Sequence, residues 1–235
     1  MHFSKDILHL RNITKQPFIR NYPNLDYLKV NGEYTMNAKE KTKSHFDKTA
    51  QDYNESSDGK FVEGMYEPLV KEIQKSESGR ILDVGCGNGN LFTFLPEGKY
   101  ELYGVDFSKN MIVEAKMNCK THAEFHVADA ECLPFDNNTF DIVVCNASFH
   151  HYTRPDEVLS EMRRVLKPGG KLLIGDPYVP GIARPIINVL IKFSQKGDYH
   201  FYGFNEMQEL FLKNEFIPLS SFKTGEHTAL HIAGK

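Results

Sequence analysis

Ile81-Leu82-Asp83-Val84-Gly85-Cys86-Gly87-Asn88-Gly89-Asn90 decides the fold. The run opens apolar, as a buried strand does. It then breaks into glycines at every second position, Gly85, Gly87 and Gly89, before an apolar segment starts at Leu91. A strand that turns through glycines into a helix lets a ligand lie against the backbone, because no Cβ intervenes. The following helix is expected to aim unpaired N–H groups at the same place. Spacing narrows the ligand. Dinucleotide sites use G-x-G-x-x-G for a pyrophosphate, whereas this chain has G-x-G-x-G preceded by Asp83 inside the strand. An acid there repels a pyrophosphate and suits a ligand with an ammonium group.

Two further strand ends carry acids. Glu101 to Val105 ends in Asp106, placed to accept from both hydroxyls of a ribose. Ser108 then caps a helix with Met111, Ile112, Ala115 and Cys119 on one face. Glu124 to Ala128 is followed by Asp129 and Ala130. Open α/β sheets bind ligands at the carboxyl ends of their strands, so Asp83 and Asp106 suit the amine and the ribose of one ligand, with Asp129 at the same edge.

At this point the segment Asp83-Val84-Gly85-Cys86-Gly87-Asn88-Gly89-Asn90 resembles motif I of the class I S-adenosylmethionine-dependent methyltransferases, in the group that includes quinone-pathway enzymes. Phe46-Asp47-Lys48-Thr49-Ala50-Gln51-Asp52-Tyr53, Asp129-Ala130-Glu131-Cys132-Leu133-Pro134-Phe135 and the run from Lys167-Pro168-Gly169-Gly170 to Asp176 resemble further segments of the family. The resemblance covers residues 37 to 235. It implies a Rossmann-like open sheet of seven strands, mostly parallel, with helices on both faces and an antiparallel C-terminal strand. It also implies S-adenosylmethionine as cofactor, leaving as S-adenosylhomocysteine, and a small-molecule acceptor. The implied cofactor contacts are Tyr53, Asp83, Gly85, Cys86, Gly87, Asn88, Gly89, Asp106, Phe107, Met111, Asp129, Ala130, Asn146 and His151. Tyr53 either lies near the ligand or packs its helix down; the sequence leaves both open. Residues 1 to 36 are then an extension, a lid or a partner contact.

In the rest of the chain, Asn21-Tyr22-Pro23-Asn24 reads as a turn, and Asn31-Gly32 as the turn of a hairpin between Tyr27–Val30 and Glu33–Thr35. Helices are expected over 38–54, 61–74 and 182–195, from Pro155, and from an Asn205 cap to Lys213, with Ser56 to Gly59 as a loop. Phe140 to Cys145 reads as a central strand leading to Asn146, and Lys171 to Gly175 as the fifth, after a stop at Lys167 to Gly170. Strands over 215–222 and 227–233 close the chain.

Methyl transfer from a sulfonium needs alignment more than proton chemistry, so no triad is required. If a base acts, His150 and His151 are the candidates; the alternative is that they pack beside the ligand. Asp176 and Tyr178 are lesser candidates for the acceptor pocket, with Phe149, Tyr152, Phe193, Tyr199 and Tyr202 as apolar lining. Cys86, Cys119, Cys132 and Cys145 form no C-x-x-C pair and read as free thiols, so neither a metal nor a disulfide is expected. A net charge of −3 gives no reason to expect a nucleic-acid partner. The amino terminus shows no leader pattern, and the segment from Ile182 to Phe193 is too short to span a bilayer, so the chain reads as cytoplasmic. Rival functions are a protein of the same fold that uses the sulfonium ligand for something other than methyl transfer, a binding protein that holds S-adenosylmethionine without turnover, and an NAD-dependent oxidoreductase, the last disfavoured by the glycine spacing and by the second and third strand-end acids.

Overall fold

The computed structural model describes residues 27–30, 33–120 and 122–235. The turn expected at Asn21 to Asn24 lies outside the described residues, as do Asn31 and Gly32. The strands on either side of those two, β1 (Tyr27–Val30) and β2 (Glu33–Met36), pair antiparallel with Val30 opposite Glu33. There follow α1 (Ala38–Thr49), α2 (Ser57–Glu63), α3 (Tyr66–Ile73), β3 (Gly79–Val84), α4 (Asn90–Thr93), β4 (Tyr100–Asp106), α5 (Lys109–Asn118) and β5 (Ala123–Val127). The second half comprises β6 (Phe140–Asn146), α6 (Pro155–Val165), β7 (Leu166–Pro177), α7 (Arg184–Leu190), α8 (Phe204–Lys213), β8 (Ile217–Lys223) and β9 (Thr228–Gly234).

Seven strands form one sheet in the order β5-β4-β3-β6-β7-β9-β8. Only β9 runs against its neighbours, pairing antiparallel with both β7 and β8. The open seven-stranded sheet with an antiparallel C-terminal strand is therefore present. The chain winds outward from β3 through β4 to β5, then returns to start β6 beside β3. That reversal opens a crevice at the carboxyl ends of β3 and β6.

The central strands are apolar almost throughout because both faces are covered. Side chains alternate across the sheet. Leu82 and Val84 of β3, Val143 and Cys145 of β6, and Leu172 and Ile174 of β7 join one core cluster with Leu159 and Met162 of α6 and Phe211 of α8. Ile81, Ile142, Val144 and Leu173 point the other way, into a cluster with Ile73 of α3, Phe92 of α4 and Ile112 of α5. Pro155 starts α6, whose Val158, Leu159, Met162 and Val165 are fully buried at the expected spacing. Ser108 caps α5 by accepting from the Met111 N–H at 3.1 Å.

Some expectations are corrected. Ser56 to Gly59 is not a loop. The Ser56 hydroxyl accepts from the Gly59 N–H at 3.0 Å and caps α2, and the helix expected over 61–74 is broken at Gly64 and Met65 into α2 and α3. The Lys167–Gly170 stop lies inside β7, where pairing with β6 jumps from Phe140–Leu166 to Ile142–Lys171. The cap of α8 is Gly203, whose N–H donates to Glu206 at 3.0 Å, rather than Asn205. The 182–195 helix contracts to α7 and a 3-10 turn, Ile191–Phe193. Among the described residues no helix is long and apolar enough to cross a membrane.

Candidate functional site

The glycine loop forms as its residues require. Gly85 leaves β3 with φ +77°, and its N–H and that of Cys86 both donate to the Val105 carbonyl, at 2.8 and 3.0 Å. A Cβ on Gly85 would stand 2.1 Å from Ser148 Oγ, so only glycine fits. Gly87 follows with φ +52°, and Gly89, the cap of α4, with φ +77°. α4 itself is a single turn of four residues. Its end contributes little dipole, so the loop amides and the acids make the site.

The three acids sit as expected at the ends of β3, β4 and β5, each in a different state. Asp83 is 3% exposed and its Oδ1 has no hydrogen-bond partner among the described residues. Burial, with the Asp106 charge adding to it, pushes its carboxyl up to about 8. Asp106 is held from behind. Its Oδ2 accepts from the Gly87 N–H at 2.9 Å and its Oδ1 from the Ser108 N–H at 2.8 Å. Burial raises it to about 6 against the pull of those two bonds. Asp129 is already engaged. Lys39 of α1 places its ammonium 2.5 Å from Asp129 Oδ2 and 3.2 Å from Glu131, over the Phe107 ring. A base seated on Asp129 must share it with Lys39 or displace that cation.

Three clefts meet here. The first runs over Val84 and Val105 between Asp106, Phe107, Asp129 and Ala130 on one side and Lys39 and Phe46 of α1 on the other. The second, smaller one reaches Asp83, Gly87, Asn88 and Asn146 and joins the first at Gly85. The third is an apolar chamber beside Phe61, Ala147, Tyr178 and Phe201, continuous with the first at Phe46 and His151. Tyr53 borders the second and third clefts and also packs on Ala50 and Met111. Met111 is one layer back, buried with those two. Gly89 backs onto Phe125 and Ala115.

An S-adenosylmethionine-shaped ligand fits this set on its unpaired polar atoms. Asn146 is 8% exposed, and among the described residues neither its amide nitrogen nor its oxygen has a partner, nor does Asp83 Oδ1. Buried polar groups are rarely left unpaired. These three atoms around one small cleft suit an ammonium and a carboxylate.

The histidine pair is unequal. Both lie in the 3-10 turn Phe149–His151 and are buried. Burial pulls His150 down most strongly as a single influence, but Asp176, 2.9 Å from its Nδ1, and Asp198 outweigh this and raise it to about 9. Burial and then the neighbouring His150 charge push His151 down, so it stays neutral. Of the aromatics expected to line an acceptor pocket, Tyr178 borders the chamber. Phe149 and Tyr202 are core, Tyr152 borders the first cleft, and Phe193 is exposed.

Sequence reasoning missed Lys39, Asn54 and Asp198. Asn54 Oδ1 accepts from Asn88 at 2.8 Å and Asn90 at 2.6 Å, tying the covering segment to the glycine loop. The position directly after Tyr53 was the one available pointer to it.

Residues 82–174 match the family described as "Methyltransferase domain". The chain is 28% identical over 153 residues to the uncharacterized methyltransferase YcgJ of Bacillus subtilis, covering 63% of this chain and 60% of that one. It is 32% identical over 138 residues to the ubiquinone/menaquinone biosynthesis C-methyltransferase UbiE of Desulfotalea psychrophila, covering 57% and 53%. The chain thus spans less than two thirds of the length of either relative. Among solved structures it is similar to the PH0226 protein of Pyrococcus horikoshii, at 27% identity and a TM-score of 0.64 over 79% of this chain and 94% of that one. The crystal structure of YcgJ gives 25% and 0.60, over 67% and 70%.

Proposed function

The chain carries a class I S-adenosylmethionine-dependent methyltransferase domain, and from that premise we propose that it transfers a methyl group to a small molecule bound in the chamber beside His151. The supporting observation is the unpaired Asp83 carboxyl and Asn146 amide beside the glycine loop, in line with Asp106 and Asp129. When bound, S-adenosylmethionine supplies an electrophilic methyl on a sulfonium that departs as a neutral thioether.

The chain's own residues then hold and align. Asp106, fixed by two backbone N–H groups, accepts from the ribose hydroxyls; Asp83 takes the ammonium; Asp129 and the Ala130 backbone receive the base. Gly85, Asn146 and Tyr53, where the second cleft approaches the chamber, would hold the sulfonium end. Phe46, Tyr178 and Phe201 give the chamber apolar walls that exclude water from the acceptor. Such positioning contributes roughly 7–11 kcal/mol in favourable cases. α1, whose Lys39, Thr42 and Phe46 line the first cleft, is its cover. Relatives named for a sterol, phosphoethanolamine and quinone acceptors differ in substrate but share small size.

The test is S-adenosylhomocysteine formation from methyl-labelled S-adenosylmethionine with a panel of phenols, quinols, thiols and amines. Acceptor-dependent product is expected. Tight binding of S-adenosylmethionine with no product from any acceptor would replace this reading by that of a binding protein.

A further inference from the structure

One buried cluster is not used in holding the methyl donor. His150 and His151 lie side by side in the turn after β6, and Asp198 comes from the segment 194–203. One ring nitrogen from each histidine and a carboxylate oxygen of Asp198 all lie within 4.8 Å of one another. His150 Nε2 is 3.5 Å, and His151 Nδ1 3.7 Å, from Asp198 Oδ1. Both exceed the 2.7–3.2 Å range of ordinary N–H···O hydrogen bonds. Two nitrogen or oxygen ligands on a tetrahedral zinc ion, each about 2.0–2.1 Å from it, stand about 3.3–3.4 Å apart.

Two further observations point the same way. His151 Nδ1 is buried without a hydrogen-bond partner among the described residues, on a side chain only 7% exposed, and it faces Asp198. His150 bonds Asp176 through Nδ1 at 2.9 Å, which turns Nε2 toward Asp198. A carboxylate behind the imidazole is how ligating histidines are oriented. The other acid in the chamber wall, Asp58, is held by Lys196 at 2.5 Å and His45 at 2.9 Å, so it is not the next ligand.

We propose that His150 Nε2, His151 Nδ1 and Asp198 bind one divalent transition-metal ion of the zinc type, with its remaining coordination position open to the chamber. Two imidazoles and one carboxylate suit such an ion, and three protein ligands leave a place for an exogenous one. This departs from the expectation of no metal, which rested on cysteine spacing. The two carboxylates flanking His150, Asp176 and Asp198, favour a cation there. Resting on the methyltransferase reading, the open position would receive an oxygen of the acceptor, which narrows the acceptor class to hydroxylated molecules.

The test is titration of the full-length, chelator-treated protein with Co²⁺, followed by visible absorption, and with Zn²⁺, followed by calorimetry. One ion per chain is expected, with a Co²⁺ spectrum of four- or five-coordinate intensity. Asp198→Asn, which keeps the side-chain shape, and His151→Ala should each weaken uptake at least tenfold while thermal unfolding remains cooperative. His122→Ala, an exposed histidine outside the cluster, should not alter it. No uptake, or uptake that survives Asp198→Asn, overturns the site. S-adenosylmethionine binding to the metal-free wild type is measured alongside, so loss of the metal site and loss of the methyltransferase reading give different results.

Discussion

Asp83 is where the account makes its most exposed quantitative claim. Its carboxyl is 3% exposed, has an unpaired oxygen and is pushed up to about 8 by burial and the Asp106 charge. At pH 7.5 ionising it costs about 1 kcal/mol, and at pH 6 about 3 kcal/mol. A charge-assisted hydrogen bond from the ligand ammonium returns about 1.5–3 kcal/mol. The difference predicts that Asp83→Asn raises the Kd for S-adenosylmethionine by about 2–30-fold at pH 7.5 and by less than about twofold at pH 6. Calorimetry in two buffers of different ionisation enthalpy supplies a second readout. Near pH 7 the wild type should release close to one proton per ligand bound, and the variant none from this group. Asp106, at about 6, is largely ionised there and adds little. Without ligand the sign reverses. Both carboxyls lie above their unfolded values, so the folded chain binds more protons between about pH 4 and 8, and its stability falls as pH rises through that window. A Kd ratio that does not change between pH 6 and 7.5, with no proton release, would refute the placement of an ammonium on Asp83.

Gly85→Ala forces a Cβ into Ser148 at φ +77°, so it should lower stability by about 1–3 kcal/mol, a fall of roughly 2–12 °C in Tm by calorimetry, and abolish S-adenosylmethionine binding. Asn54→Ala unties Asn88 and Asn90; two neutral hydrogen bonds at about 0.5–1.5 kcal/mol each predict a Kd raised roughly 5–150-fold, and a change under twofold would rule the clamp out. Burial, with the charges of Asp106 and Asp83, pushes the Cys86 thiol well above its ordinary value, so iodoacetamide at pH 8 should label exposed Cys132 and leave Cys86 unmodified by mass spectrometry. Fast Cys86 labelling would contradict this and point to a reactive thiol in the glycine loop.

The sheet was legible because buried parallel strands are written as near-continuous apolar runs, and three of the strands carry an acid at their carboxyl ends. Ile81 to Val84, Leu102 to Val105 and Phe140 to Cys145 needed only periodicity and the glycine loop to be placed. Local capping chemistry was harder. Ser56-Ser57-Asp58-Gly59 has turn composition, yet the Ser56 cap and the close approach of Gly59 to the Tyr53 carbonyl make it a helix start. Least legible were the groups whose role depends on long-range contact. Lys39 reaches Asp129 across 90 positions and Asn54 reaches Asn88 across 34. Asp198, a single acid beside an aromatic stretch, gains meaning only when its segment folds back over His150 and His151. No spacing within a single element encodes such meetings.

The central claim is that the crevice between β3, β4 and β6 takes S-adenosylmethionine. Thermal unfolding with S-adenosylmethionine, S-adenosylhomocysteine and NADH, each at about 100-fold its expected Kd, tests it most directly. Binding to the folded state should add about 2.7 kcal/mol and raise Tm by roughly 5–10 °C with the first two ligands, and with NADH not at all. A shift with NADH alone, or none with either adenosyl ligand, would contradict the account.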